Sequence, residues 1–87
     1  MEKLFRIHTE NKNRADIIKE VSKHFQGFTV FNAIGYWQGK KEQSLIIEVL
    51  ASSKAQSKIE SIARYIKAHN KQEAVLIVKL DANGKLI

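Results

Sequence analysis

Residues 27–50, GFTVFNAIGYWQGKKEQSLIIEVL, contain two apolar stretches separated by a basic turn with a glycine. This pattern predicts two β-strands at residues 28–37 and 44–50, joined by a connection at residues 38–43. Both alternate faces of each strand carry large apolar side chains, although a strand covered on one face only should be polar on the other. We therefore expect helices on one face of these strands and a second apolar contact on the other face.

The chain before this hairpin shows one strand pattern and one helix pattern. Residues 3–9 alternate as a first strand, with Phe5 and Ile7 on one face and a mixed set of side chains on the other. A first helix is expected to begin at an N-cap at Asn13 and to end at Gly27, which is suited to a C-terminal cap. Its apolar residues fall at helical spacing, at Ile17, Ile18, Val21 and Phe25.

The chain after the hairpin predicts a second helix and a last strand. Ser53 and Gln56 have the spacing of a capping box at the start of the helix, which ends near Asn70. Its expected buried stripe is Ile59, Ile62, Ala63 and Ile66. Residues 73–80 predict the last long strand, and the turn dipeptide at residues 83–84 predicts that Leu86 and Ile87 return as a short C-terminal edge strand.

The order strand, helix, strand, strand, helix, strand predicts the α+β class and a ferredoxin-like βαββαβ fold for a single domain at residues 1–87. In this fold, strands one and three lie at the centre of a four-stranded antiparallel sheet, and both helices cover one face. The sequence does not fix which face of each strand points to the helices. Either assignment leaves large apolar side chains on the bare face, so we expect a homo-oligomer that covers them.

Composition limits the classes of function. The chain has 87 residues, no cysteine and a formal net charge of +6. Without cysteine, disulfides and thiolate metal sites are excluded, and the absence of a long apolar run predicts a cytoplasmic protein without a membrane span. The basic excess is compatible with nucleic acid, but the lysines are spread over every segment, so a nucleic-acid partner is the less favoured expectation.

The segment GFTVFNAIGYWQGKKE, followed by SLIIEVLASS and a helix, resembles the core of the PII signal-transduction superfamily. In that superfamily a strand of the GMTV type leads through a glycine-containing loop into a strand of the KIEIVV type. The CutA-like proteins are similar and share a trimeric ferredoxin-like architecture. The likeness covers residues 27–78, and it is closer still to a group of uncharacterised small bacterial proteins with GFTV, GxW and QEAV elements. It implies a homo-oligomer, with a trimer favoured, and a ligand cleft between subunits.

Two features of the PII nucleotide site differ in this chain. PII proteins carry a long loop between the second and third strands, where this sequence offers six residues at positions 38–43. Their second glycine-rich loop precedes the fourth strand and wraps phosphates with backbone amides. Residues 70–73 of this chain contain no glycine. The resemblance therefore implies the inter-subunit cleft more firmly than it implies ATP.

A ligand site is expected at the base of the hairpin, in a cleft where two subunits meet, with the start of the last strand lining the same cleft. Aromatic residues there are suited to stack on a base, and Lys40 and Lys41 are suited to a phosphate. The alternative interpretations are subunit packing for the aromatic residues and simple solvation for the lysines. Glu48 is expected to pair with Arg6 or a nearby lysine, since an unpaired buried carboxylate is costly. The candidate ligand-binding residues are Tyr36, Trp37, Gln38, Gly39, Lys40, Glu48, Gln72 and Glu73.

No catalytic or metal-binding pattern is present in the sequence. His8, His24 and His69 are separated by whole elements, so no metal site is expected. There is no P-loop and no G-x-G-x-x-G, so we expect no cofactor and no catalytic residue. The main hypothesis is a non-enzymatic homo-oligomer that binds, senses or sequesters a nucleotide or another anionic metabolite. The alternative is an interaction or inhibitor protein that binds a protein or nucleic-acid partner through basic surfaces.

Overall fold

The computed structural model describes residues 2–87. The elements are β1 (Glu2–Glu10), α1 (Arg14–Ser22), β2 (Thr29–Trp37), β3 (Lys40–Ser52), a 3₁₀ turn (Ser53–Ala55), α2 (Gln56–Asn70) and β4 (Leu76–Asp81). All strand pairings are antiparallel, and the order across the sheet is β2-β3-β1-β4. The predicted ferredoxin-like fold, with the first and third strands at the centre, is confirmed.

The core lies between the helices and one face of the sheet, because alternate residues of the central strands point to opposite sides. Phe5 and Ile7 of β1 are fully buried, and their neighbours on β3 are buried with them. Each such side chain stabilises the fold by about 1.5–3 kcal/mol through burial. The core cluster comprises Phe5, Ile7, Ile17, Val21, Leu45, Ile47, Val49, Ala55, Ile59, Ile62 and Ile66. Both predicted helical stripes therefore contribute to one core.

The other side of the sheet has no helix among the described residues and is called the open face below. Residues directly opposite each other in antiparallel strands share a face, so the strand register identifies its members. One cross-strand row joins Leu50, Leu4 and Leu80. Its members include Leu4, Arg6, His8, Phe31, Ile46, Glu48, Leu50, Leu76, Val78 and Leu80, and toward the hairpin tip the same face continues through Ser44, Glu42 and Trp37. The predicted bare apolar face is present in the isolated chain.

The hairpin is longer and its turn tighter than predicted. Only Gln38 and Gly39 separate β2 from β3, and Trp37 pairs with Lys40. Both turn residues have positive φ, 51° and 78°, which is the backbone of a tight two-residue hairpin turn. The expected connection at residues 38–43 was therefore wrong. The polar residues 40–43 belong to β3, because backbone pairing with β2 continues beyond the apolar pattern.

The predicted ends of α1 also need correction. Asn13 occupies the N-cap position, but its φ is 53° and its side chain makes no cap bond. That side chain reaches α2 and donates to Asn70 instead. Gly27 is not the C-terminal cap, since α1 ends at Ser22. The backbone N of Lys23 donates to Glu20 O, and the backbone N atoms of His24 and Phe25 donate to Val21 O. These bonds close the last turn, and the C-cap residue Lys23 keeps a right-handed conformation.

The entry to α2 differs from the expected Ser53 and Gln56 capping box. β3 continues to Ser52, whose Oγ accepts from the Lys54 backbone N at 3.2 Å. Ser53 therefore lies inside the 3₁₀ turn. The Gln56 side chain donates along α2 to Glu60 Oε2 at 2.9 Å rather than back to the turn.

The last strand is shorter than predicted, and the C-terminal edge strand is absent. β4 begins at Leu76, opposite His8, because the chain from residue 72 to residue 75 is still turning away from α2. Residues 82–87 form no strand. Gly84 lies directly against the Leu50 side chain, so the tail crosses the end of the sheet rather than pairing with β4.

Candidate functional site

A polar groove of about 440 Å³ lies where the hairpin tip meets the end of β1. It is called the tip groove below. Its lining residues are Glu10, Asn11, Lys12, Trp37, Gln38, Lys40, Lys41, Glu42 and Gln43. The strand register explains the meeting: Glu10 pairs with Ser44, so the loop after β1 must lie beside the hairpin beyond that pair. The backbone N of Asn11 donates to Gln43 O at 2.9 Å and fixes this approach.

Trp37 provides the aromatic surface of the tip groove. It lies at the end of β2, and 51% of its surface is exposed. Its indole nitrogen donates to Glu73 Oε2 across a long 3.5 Å contact, which joins the hairpin tip to the segment before β4. An exposed indole held by its nitrogen leaves its ring face available for stacking.

Lysines exceed carboxylates around the tip groove. Lys12, Lys40 and Lys41 line it together with Glu10 and Glu42. Lys12 Nζ lies 3.5 Å from Glu10 Oε2, and Glu42 accepts a hydrogen bond from Ser44 Oγ at 3.1 Å. Lys40 and Lys41 form no ion pair with another residue of the described range 2–87. Their ammonium groups are therefore available to an anion.

The structure brings part of the predicted ligand set together. Trp37, Gln38 and Lys40 line the tip groove, and Glu73 contacts it through Trp37. Gly39 forms the turn that closes the hairpin. Tyr36, 73% exposed, belongs to the opposite alternate face of β2 and is not among the groove residues.

Two predicted residues lie away from the groove lining. Gln72 is half-buried, and it accepts from Thr9 Oγ1 at 2.5 Å and from Asn70 Nδ2 at 2.8 Å. Glu48 lies near the centre of the open face, where its Oε2 accepts from Arg6 Nε at 2.8 Å. Of the expected partners, Arg6 or a nearby lysine, the structure shows Arg6. The position of Glu48 does not support a ligand role for it at the tip groove.

Sequence reasoning missed five of the groove residues, namely Glu10, Asn11, Lys12, Glu42 and Gln43. It predicts Lys41 as a phosphate ligand but does not place this lysine beside the loop after β1. A signal was available in the polar break after the first strand. In a ferredoxin-like sheet this break follows a central strand that pairs with the third strand, so it had to lie near the hairpin tip.

A second, smaller groove of about 260 Å³ lies between α2 and β4. Its apolar lining includes Ala63, Val75 and Ile77, and its rim includes Arg64 and Lys67. Arg64 is paired with Glu60 at 3.1 Å. This groove is smaller and less polar than the tip groove, and none of the predicted ligand residues lines it.

The resolved pKa shifts concern surface carboxylates outside the tip groove. A hydrogen bond from Lys3, reinforced by the charge of the same ammonium, holds the pKa of Asp81 below its ordinary value. A hydrogen bond from Lys23 is the main cause that lowers the pKa of Glu20. Neither carboxylate has the raised pKa that a general acid at neutral pH requires.

Among the described residues, no group of three or more His, Asp or Glu side chains is arranged so that it could hold a metal ion. His69 Nε2 lies 3.0 Å from Asp16 Oδ2. The His69 ring stacks on the Tyr65 ring, with a distance of 5.1 Å between the ring centroids. His24 lies beside Glu20 on α1. Among residues 2–87, no helix is both long and apolar enough to cross a membrane.

In its fold, the chain is similar to solved ferredoxin-like proteins, among them PII-like and CutA proteins. A DUF3240 family protein from Shewanella baltica is similar, with a TM-score of 0.77 and 17% identity over 99% of this chain and 97% of that one. A putative PII-like signalling protein from Thermus thermophilus gives 0.63 and 23% identity, over 90% and 82% of the two chains.

The divalent cation tolerance protein CutA1 from Thermus thermophilus gives a TM-score of 0.66 and 22% identity, over 98% of this chain and 88% of that one. No protein-family model and no curated protein matches the sequence. At these identities the similarity shows the fold alone. The fold implied by the PII and CutA resemblance of residues 27–78 is confirmed.

Proposed function

We propose that the chain is a non-enzymatic homo-oligomer, with a trimer favoured, that binds a nucleotide or another anionic metabolite and thereby senses or sequesters it. The observation that carries this proposal is the tip groove, which combines an exposed indole with lysine ammonium groups. Trp37 offers a stacking surface to a base, and such stacking contributes about 1–3 kcal/mol. Lys12, Lys40 and Lys41 offer charge-assisted bonds to phosphate or carboxylate oxygens.

Assembly into a homo-oligomer is the second part of this proposal. The open face contains several half-exposed apolar side chains, including Leu50 at 40% and Leu80 at 48% exposure. Covering them with a second copy would bury apolar area that the isolated chain leaves in water. The architecture of the similar PII-like and CutA1 proteins agrees with a sensing or binding role, and the resemblance favours three copies. A cytoplasmic location remains a prediction of the sequence.

Isothermal titration against a panel of ATP, ADP, cyclic nucleotides and inorganic pyrophosphate tests the ligand-binding half. We expect at least one member to bind, and Trp37→Leu to weaken a nucleotide by about 5- to 100-fold. Lys40→Gln/Lys41→Gln should weaken nucleotides and pyrophosphate alike. Lys19→Gln is the control, since Lys19 is exposed on α1 and does not line the groove. Silence across the panel would remove the ligand-binding role.

The alternative is an interaction protein that holds a protein or nucleic-acid partner through basic surfaces. One observation favours it: Lys54, Lys67 and Lys71 are exposed around α2 and make no ion pair with another residue of the described range. A gel shift with duplex and single-stranded DNA at two salt concentrations tests the nucleic-acid form. Affinity that does not change with salt would contradict it, because phosphate contacts release counterions.

A further inference from the structure

Asn70, the last residue of α2, is a buried polar residue whose amide is hydrogen-bonded to three residues in two segments of the chain. It is 5% exposed. Its Nδ2 donates to Gln72 Oε1 at 2.8 Å and, through a longer bond of 3.4 Å, to the backbone carbonyl of Lys12. Its Oδ1 accepts from Asn13 Nδ2 at 2.8 Å. Asn70 is therefore bonded to the loop that carries Lys12 into the tip groove.

The network extends from Asn70 to the end of the central strand β1 and to the segment before the edge strand β4. Thr9 Oγ1, near the end of β1, donates to Gln72 Oε1 at 2.5 Å. Gln72 Nε2 donates to the Ala74 carbonyl at 3.2 Å, on the approach to β4. The amide of Gln72 thus joins β1 to the segment before β4, and Asn70 joins both to the loop after β1.

The backbone on both sides of the network is held in an unusual conformation. Asn13 and Lys71 have left-handed φ values of 53° and 55°. A residue other than glycine in this region costs on the order of 1 kcal/mol and persists where its surroundings enforce it. Asn13 makes no helix cap bond, since its backbone is left-handed rather than extended as a cap requires, and its Nδ2 donates to Asn70 Oδ1. The local conformation therefore serves the contact with Asn70 rather than the start of α1.

We propose that Asn70 is a positioning residue of the tip groove, which holds Lys12 in place to receive the anionic part of the ligand. The inference rests on the proposed function and assigns a role to a buried residue outside the groove lining. Lys12 is fixed through its carbonyl by Asn70 and through its backbone N by a 2.9 Å bond to Glu10 O. A cation on a loop ordered before binding loses less entropy when an anion arrives.

The test is a double-mutant cycle between Asn70 and Lys12, with ATP and tripolyphosphate as the probes in isothermal titration. Asn70→Ala in the full chain is expected to weaken both probes by about 5- to 10-fold, the effect of one lost positioning bond. In the Lys12→Gln background the same substitution should weaken them by less than about 2-fold, because the cation that it positions is gone. Asn83→Ala, in the exposed tail, is the matched control.

A second variant keeps the test decisive if Asn70→Ala does not fold, which circular dichroism would show. Asn13→Gly keeps the left-handed backbone accessible and removes only the bond to Asn70 Oδ1. It is expected to weaken both probes by about 3-fold, again only when Lys12 is present.

The outcomes separate this inference from the proposed function. Equal losses with and without Lys12, or no loss in either Asn70→Ala or Asn13→Gly while the unaltered protein binds, overturn the positioning role alone. If the unaltered protein binds neither ATP nor tripolyphosphate, there is no anion for Lys12 to receive, and the positioning role is overturned together with nucleotide and polyphosphate binding.

Discussion

The two faces of the sheet are built from the same strands and both carry large apolar side chains, yet only one of them is covered in the isolated chain. On the covered face, Ile47 is fully buried beneath the helices. Its neighbour Ile46, one residue along β3, lies half-buried on the open face. Burial of the covered face stabilises the fold. The exposed apolar side chains of the open face predict that the folded chain associates with further copies of itself.

The faces also differ in whether charged side chains lie near their centre. The innermost residues of the covered face are apolar, and its buried polar member Thr9 is hydrogen-bonded to Gln72. The open face has an ion pair, Arg6 with Glu48, within an apolar surround. The pair is internally neutral, so a second copy can cover the face without supplying a matching charge. Three predictions test this difference, from the largest expected effect to the smallest.

The largest effect is expected from Ile47→Ala compared with its matched control Ile46→Ala. Removing Ile47 from the core should lower the free energy of unfolding by about 3–4 kcal/mol. Ile46→Ala should cost about 1 kcal/mol or less in dilute protein, with a cost that grows with protein concentration if a second copy covers it. Urea unfolding at two protein concentrations measures both. Equal costs for the two variants in dilute protein would contradict the assignment of the faces.

The second effect concerns the ion pair of the open face. Arg6→Met leaves Glu48 without its partner, and in an assembly that buries this face it should cost about 3 kcal/mol of assembly stability. Adding Glu48→Leu should recover most of the loss, because no unpaired charge then remains. Size-exclusion chromatography at decreasing protein concentration measures assembly stability for each variant, because the elution volume increases when the assembly dissociates. A loss that is as large in the double variant as in Arg6→Met would show that the charge itself is needed.

The smallest effect is expected at the edge of the sheet, where Lys3 of β1 bonds to Asp81 of β4. The pKa of Asp81 lies below its ordinary value of 3.8, so the pair stabilises the fold above that pH and is lost as the pH falls through the lower folded value. Because Asp81 is exposed, the contribution is small. Thermal unfolding of the unaltered protein and of Asp81→Asn should differ slightly at pH 6 and converge near pH 2. A difference that grows toward acid would contradict the sign.

Much of the fold could be predicted from the sequence because the apolar spacing is regular. The alternation at Phe5 and Ile7, and the helical stripe of α2 from Ile59 to Ile66, each indicate one buried face. The pair between Arg6 and Glu48 followed from the cost of a lone carboxylate among apolar neighbours. These features depend on local periodicity or on a single strong energetic constraint.

The remaining features depend on contacts between distant segments. The strand pairing of residues 40–43 is made by the backbone, so their polar side chains gave no strand signal. Asn13 has the residue type of an N-cap, but Asn70 lies within reach only in the folded chain and takes its amide. The tip groove joins the loop after β1 to the hairpin, and its membership required the register between β1 and β3. Local patterns therefore located Trp37 and Lys40 but not Lys12.

The central claim is that the open face is buried by further copies of the same chain. Multi-angle light scattering at micromolar concentration tests it most directly, with Leu80→Glu on the open face as the variant. The account predicts a molar mass three times that of the chain for the unaltered protein, falling to that of one chain for Leu80→Glu. A single-chain mass for the unaltered protein, with a folded circular dichroism spectrum, would contradict it.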